Sequence, residues 1–236
     1  MSHETVHLRP HAPVAERVLL PGDPGRALRL AQQLLDTPRM LNHHRGLWGY
    51  TGTATDGLPL TIQSTGMGGP SAAIVAEELI ALGARRLVRV GTCAALVDGL
   101  PLGSLVIAEA ALPDDGASRA LGATAPIAAD PALLAALQAA GDGAAGGLVV
   151  SADLFYDPDP KRPARWVAAG ALAVEMEAAT LFAVAGRHGA AAACVLAVSD
   201  LLAGPERVRI DAEALERAEP ELGRVGAAAV GAWCRY

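Results

Sequence analysis

Three arginines in this sequence lie beside a glycine turn or at the end of an apolar run, and their placement suits the binding of an anion. Arg26 closes the turn Gly22-Asp23-Pro24-Gly25-Arg26, which follows the apolar run Val18 to Leu20. Asp23 is placed to cap a helix and Pro24 to occupy its first position, so free backbone N–H groups there would attract an anion. Gly22 permits close backbone approach and Arg26 adds a planar fork of donors. The same segment also reads as an ordinary capped turn with a solvated arginine. Arg89 stands inside LVRVGT, where an unpaired buried charge would be costly. It needs a partner, either a structural carboxylate or an anionic ligand held together with the Thr92 hydroxyl. With Arg45 these two could converge on one phosphate.

Carboxylates and aromatics supply the remaining chemistry. Val174-Glu175-Met176-Glu177 puts two acids at i and i+2, on one side of an extended chain, as acceptors for a sugar diol and as a counter-charge to a cationic sugar. The alternative is a helix start decorated with favourable acids. Asp200 follows Ser199 directly after the apolar run ACVLAVS; partial burial is expected to raise its pKa, so that it could donate a proton to a leaving base, although an aspartate there also reads as a cap. Phe155 and Tyr156 follow LVVSAD and could stack on a planar base or close the core.

These residues need a scaffold that brings strand ends together. Val18–Leu20, a helix through ALRLAQQLL, and a hairpin of 47–54 with 58–63 around Asp56-Gly57 open the chain. A helix over 71–82 stopped by Gly83 follows, then a strand over 87–90 ending in a turn at Gly91-Thr92, and a strand over 104–108. Residues 113–130 have loop composition. Helices near 131–140, 160–169, 178–188 and from about 211 alternate with strands near 148–152, 172–175 and 192–198. This alternation predicts a single α/β domain over residues 1–236, a three-layer αβα sandwich with a mixed, largely parallel central sheet, and ligands in such folds gather at the carboxyl ends of the strands.

The bulk properties restrict the partners. Apolar residues make up 52%, ample for a compact core. The net charge of −6, without a basic run, argues against nucleic acid. Cys93, Cys194 and Cys234 are far apart and outside any CxxC pattern, which fits a reducing compartment better than a disulfide framework and shows no zinc site. The longest apolar stretch, 189–198, is too short to span a bilayer, so a soluble cytoplasmic protein is expected.

Taken in order, VLLPGDPGRA, NHHRGLWGYTGT, TGMGGPSAAI, LVRVGTCAAL, SADLFY, VEMEAATLFAVA and LAVSD resemble the nucleoside phosphorylase family of bacterial hexameric purine nucleoside phosphorylases and uridine phosphorylases. Seven motifs in family order are far more specific than any one alone. The resemblance implies that Gly22, Arg26, Arg89 and Thr92 bind phosphate and that Arg45 reaches the phosphate of a neighbouring subunit. It places Met67, Met176 and Glu177 around the ribose, with Glu175, Val174 and Ser199 among the substrate-binding residues. Phe155 would lie against the base, with Asp200 as proton donor to a purine N7. His7 resembles the N-terminal histidine that crosses a dimer interface to the ribose 5′-hydroxyl. The resemblance further implies phosphorolysis without metal or organic cofactor, phosphate being a co-substrate, in a homohexamer built as a trimer of dimers.

Departures from the family bear on substrate choice. After Asp200 the chain reads LLAGPERVRI, shorter than the family segment that brings an arginine to the catalytic aspartate, leaving Arg207 or Arg209 as its counterpart. Uridine phosphorylases carry a Gln-x-Arg pair after the aromatic motif; here DPDPKRP has no glutamine, which favours purines. The alternatives are a uridine phosphorylase, a hydrolase of the same fold such as a methylthioadenosine nucleosidase, and a non-catalytic nucleoside-binding module. The hydrolase is disfavoured by the three arginines. A dinucleotide-binding oxidoreductase would need a GxGxxG at a strand-to-helix turn, and none occurs.

Overall fold

The computed structural model describes residues 5–204 and 206–232. Cys234 lies outside them. The strands are β1 (Arg17–Leu20), β2 (Leu35–Asn42), β3 (Gly49–Ala54), β4 (Pro59–Gln63), β5 (Arg86–Ala95), β6 (Leu105–Asp114), β7 (Ile127–Ala128), β8 (Ala145–Ala152), β9 (Ala171–Glu175), β10 (Ala191–Leu201) and β11 (Val208–Arg209). The helices are α1 (Pro24–Leu34), α2 (Gly69–Ala81), α3 (Gly116–Ala120), α4 (Pro131–Ala140), α5 (Arg162–Ala168), α6 (Ala178–Arg187) and α7 (Ala212–Ala232).

All strands join one mixed sheet. Its centre is parallel, β4-β1-β5-β10, and β6-β8-β9 forms a second parallel run. Antiparallel pairing joins these runs where β10 meets β6 and where β9 meets the end of β5, so β5, β10, β6, β8 and β9 close on one another. Helices α1, α4 and α7 pack together on one side, and α2, α3 and α6 on the other, giving the expected layers. β5 and β10 are almost wholly buried, which is why they read as near-continuous apolar runs.

Three local expectations are corrected. No turn interrupts the chain at Gly91-Thr92, because β5 runs through both residues to Ala95. Gly91 is there for space: a Cβ would lie 2.7 Å from Cζ of Arg89, whose guanidinium folds over it. Residues 113–130 are not all loop, since β6 continues to Asp114 and Asp115 caps α3 by accepting from the Ser118 N–H. β2 was not expected, because Pro38 and a polar run mask it; at the sheet's edge a proline N–H is not needed and bulges are tolerated.

Candidate active site

A cavity of about 740 Å³ opens where β1, β4, β5, β9 and β10 end. One end is built on buried strand residues. Asp23 caps α1 by accepting from the Arg26 N–H at 2.7 Å, with Pro24 at the first turn, as the sequence indicates. Gly22 faces Gly66 so closely that a Cβ would sit 3.2 Å from its carbonyl oxygen. Arg89 settles the choice posed by the sequence in favour of structural carboxylates, while leaving room for an anion. Its Nε donates to Glu175 at 2.8 Å and its Nη2 lies 2.5 Å from Glu177, yet Nη1 is buried without a hydrogen-bond partner among the described residues. Nη1 lies on the Gly22 side of the cavity, 3.9 Å from where a Gly22 Cβ would stand. Burial disfavours the Arg89 charge, but Glu177 and Glu175 outweigh it and push its pKa up.

The two acids divide their work. Glu175 is spent on structure: it accepts from Arg89, from the Ser151 hydroxyl, and from the N–H groups of Glu177 and Ala178 at 2.9 Å. That corrects the expectation of two free acceptors on one side. Glu177 accepts from the Gly68 N–H at 2.6 Å and so ties the glycine loop to the start of α6. Burial pushes its carboxyl up, Arg89 opposes this, and Glu175 adds to it.

At the other end, β10 carries an irregularity in its pairing with β5 between Val198 and Asp200, at Ser199. A bulge of this kind re-aims side chains at a sheet rim. β11 then folds back so that Arg209 pairs with Asp200 in register. Arg207 Nε donates to Asp200 Oδ1 at 2.8 Å, Arg209 Nη1 lies 3.1 Å from both carboxylate oxygens, and the Ser199 hydroxyl donates to Oδ2 at 2.7 Å. The expected rise in the Asp200 pKa is therefore overturned. Burial alone would raise it, but hydrogen bonds from Arg207 and Ser199 and the charges of Arg207 and Arg209 prevail, so it falls below the ordinary aspartate range. Phe155 and Tyr156 meet edge to face at 5.0 Å, and the Arg207 guanidinium covers the Phe155 ring at 4.0 Å.

Met67, Thr92, Val174 and Met176 join these residues in the cavity wall. His7 and Arg45 do not. The His7 ring meets Glu78 at 2.8 Å, and Arg45 is exposed on a short 3-10 turn (His44–Gly46) at positive φ. Sequence reasoning missed Glu219 on α7, which is 3% exposed and accepts from Arg26 Nε at 2.8 Å and Arg29 Nε at 2.6 Å. Nothing in its local sequence marks it, since its partners lie on another helix. Ser151, which braces Glu175 and donates its hydroxyl there while accepting from the Ala179 N–H, was missed for the same reason. Among the described residues no group of His, Cys, Asp and Glu is arranged to hold a metal, and no helix is long and apolar enough to cross a membrane.

Residues 16–231 match the family model described as the phosphorylase superfamily. Among curated proteins, the purine nucleoside phosphorylase DeoD-type of Jannaschia sp. (strain CCS1) is 42% identical over 80% of this chain and 83% of its own length. The protein of the same name from Clostridium beijerinckii is 40% identical over 83% and 86%. Among solved structures, uridine phosphorylase from Vibrio fischeri ES114 superposes with a TM-score of 0.83 at 29% identity, covering 92% of both chains.

Proposed function

The chain belongs to the phosphorylase superfamily, and from that premise we propose that it is a purine nucleoside phosphorylase, cleaving the N-glycosidic bond of purine ribo- or deoxyribonucleosides with inorganic phosphate. The observation that carries this reading is the buried, unpartnered Nη1 of Arg89 beside the Gly22 turn, in one cavity with the Asp200–Arg207 pair. A buried donor without an acceptor is uncommon and costly, and a phosphate oxygen would satisfy it. The similarity to two purine-named relatives at 40% identity or above supports the choice of base.

In this account Gly22, Arg26, Arg89 and Thr92 hold phosphate, and the partner subunit's Arg45 completes its shell. Met67, Met176 and Glu177 face the ribose, with Val174 and Ser199 beside them and Glu175 bracing Arg89 from behind. The partner's His7 reaches the 5′-hydroxyl. Hydrogen phosphate attacks C1′ as the bond to N9 breaks and the electron pair leaves with the base; ribose 1-phosphate forms, and the proton of the hydrogen phosphate passes through water to the base. Phe155 packs on the base, and Arg207, held in place by Asp200, meets the negative charge that builds there. Neither metal nor organic cofactor takes part. The working form is a cytoplasmic homohexamer of single-domain subunits, a trimer of dimers, because both His7 and Arg45 lie away from their own chain's cavity.

The test is base release from inosine, guanosine, adenosine and uridine, each with and without phosphate. Release from purines only when phosphate is present is expected. Release without phosphate would mean a hydrolase, and the structural likeness to a uridine phosphorylase makes uridine cleavage the specific outcome that would overturn the purine assignment.

A further inference from the structure

Resting on the phosphorolysis reading, we propose that Glu219 of α7 is a positioning residue for phosphate: it holds Arg26 by the Nε alone, so that both terminal nitrogens of that guanidinium are left to the anion. Arg26 lines the cavity together with Gly22, and its side chain is only 8% exposed. Its Nε donates to Glu219 Oε1 at 2.8 Å, and neither terminal nitrogen has a hydrogen-bond partner among the described residues. Glu219 is still more deeply buried and comes from the far end of the chain, 193 residues away. Its remaining lone pairs go to Arg29, with Nε on Oε2 at 2.6 Å and Nη2 on Oε1 at 2.9 Å. Arg29 lies outside the cavity wall. The side-on pairing that a carboxylate and a guanidinium favour is thus given to Arg29 and denied to Arg26.

Helix packing sets this contact. Arg26 and Leu30 stand at i and i+4 on α1, and Glu219 and Gly223 at i and i+4 on α7, so each pair shares one face of its helix. The glycine lets the helices approach: a Cβ at Gly223 would lie 2.4 Å from Cδ2 of Leu30, a fully buried side chain. The carboxylate one turn earlier is thereby brought onto Arg26. Burial pushes the Glu219 carboxyl up, yet Arg29 and Arg26 outweigh it and hold it below the ordinary glutamate range. The same arrangement recurs within the cavity. Arg89 gives its Nε to buried Glu175 and keeps Nη1 without a hydrogen-bond partner among the described residues. An arginine free to swing has to be ordered by the phosphate it binds, whereas one held by its Nε is ordered beforehand, which strengthens binding without a new contact. Glu219 acts through Arg26 and not on the anion.

The experiment measures phosphate KM, nucleoside KM and kcat for the full chain, with the purine nucleoside it cleaves fastest, in Glu219→Gln, Arg26→Ala and the double variant. Glu219→Gln should raise phosphate KM about tenfold, the scale of one hydrogen bond to a charged group, with nucleoside KM and kcat changed by no more than about twofold. In the Arg26→Ala background the same substitution should leave phosphate KM where Arg26→Ala alone puts it, because the residue it positions is gone. Arg26→Ala leaves Glu219 paired with Arg29, so the fold is retained. Glu219→Asp keeps the charge in the helix contact but draws it back by one methylene; it tests the same point where the glutamine variant does not fold, and should also raise phosphate KM selectively. An unchanged phosphate KM in the Glu219 variants would overturn this proposal alone. So would an equal rise in both KM values, or an equal effect with and without Arg26, since each means packing and not positioning. Base release by the parent that ignores phosphate, or no release at all, would overturn it together with the reading on which it rests.

Discussion

At the Arg89 end of the cavity the charged groups lie inside the sheet: Arg89, Glu175 and Glu177 are each no more than 5% exposed and pair with one another across β5, β9 and the start of α6. At the other end Asp200 is the buried charge, and it is met by Arg207 and Arg209, 32% and 57% exposed, beside and on the short edge strand β11. The first arrangement cannot be altered without cost to the fold, because removing one member leaves a buried charge uncompensated. The second can be retuned from the surface.

Arg89→Ala should therefore have the largest effect, costing about 3–5 kcal/mol of stability and abolishing saturation by phosphate. Urea denaturation and phosphate saturation curves measure both, and identical phosphate curves for variant and parent would break the contrast. Asp200→Asn should lower turnover by about a hundredfold with little change in nucleoside KM and a smaller loss of stability. Its stability effect should depend on pH with a definite sign. Since the folded aspartate titrates below its ordinary range, the parent's advantage over Asp200→Asn is present above that range and fades as the pH falls through the folded value. An advantage that instead grew on acidification would contradict the arginine clamp.

Arg45→Ala should raise the phosphate requirement moderately without affecting the isolated fold, because Arg45 is exposed in its own chain. Mixing Arg45→Ala and Asp200→Asn subunits should restore activity above the sum of the two, since some cavities would then draw both intact residues. Purely additive activity would confine each site to one chain. Gly91→Ala forces the buried Arg89 guanidinium aside, so it should lower stability and weaken phosphate binding while leaving the preference among bases unchanged, which urea denaturation and phosphate saturation would show.

The contrast between the two ends also governed what the sequence could reveal. The Asp23 cap and Pro24 follow from local chemistry, and an arginine inside an apolar strand demands a partner, so much of the structure around Arg89 was legible. The layers and most elements were legible too, because buried strands and amphipathic helices have distinct patterns. The Asp200 pKa was read in the wrong direction. Its sign depends on Arg207 and Arg209, brought back by the two-residue strand β11, which is too short to leave a pattern. Glu219 was invisible because its burial comes from Arg26 and Arg29 across a helix interface. β2 was hidden by Pro38, a residue whose meaning in a strand depends on whether that strand lies at an edge.

The central claim is that phosphate, held at Arg89, becomes bonded to the sugar. Phosphorus NMR of the enzyme with inosine and inorganic phosphate follows that bond directly. The account predicts a growing sugar phosphomonoester resonance in step with released hypoxanthine. Hypoxanthine released with free ribose and an unchanged inorganic phosphate signal would contradict it.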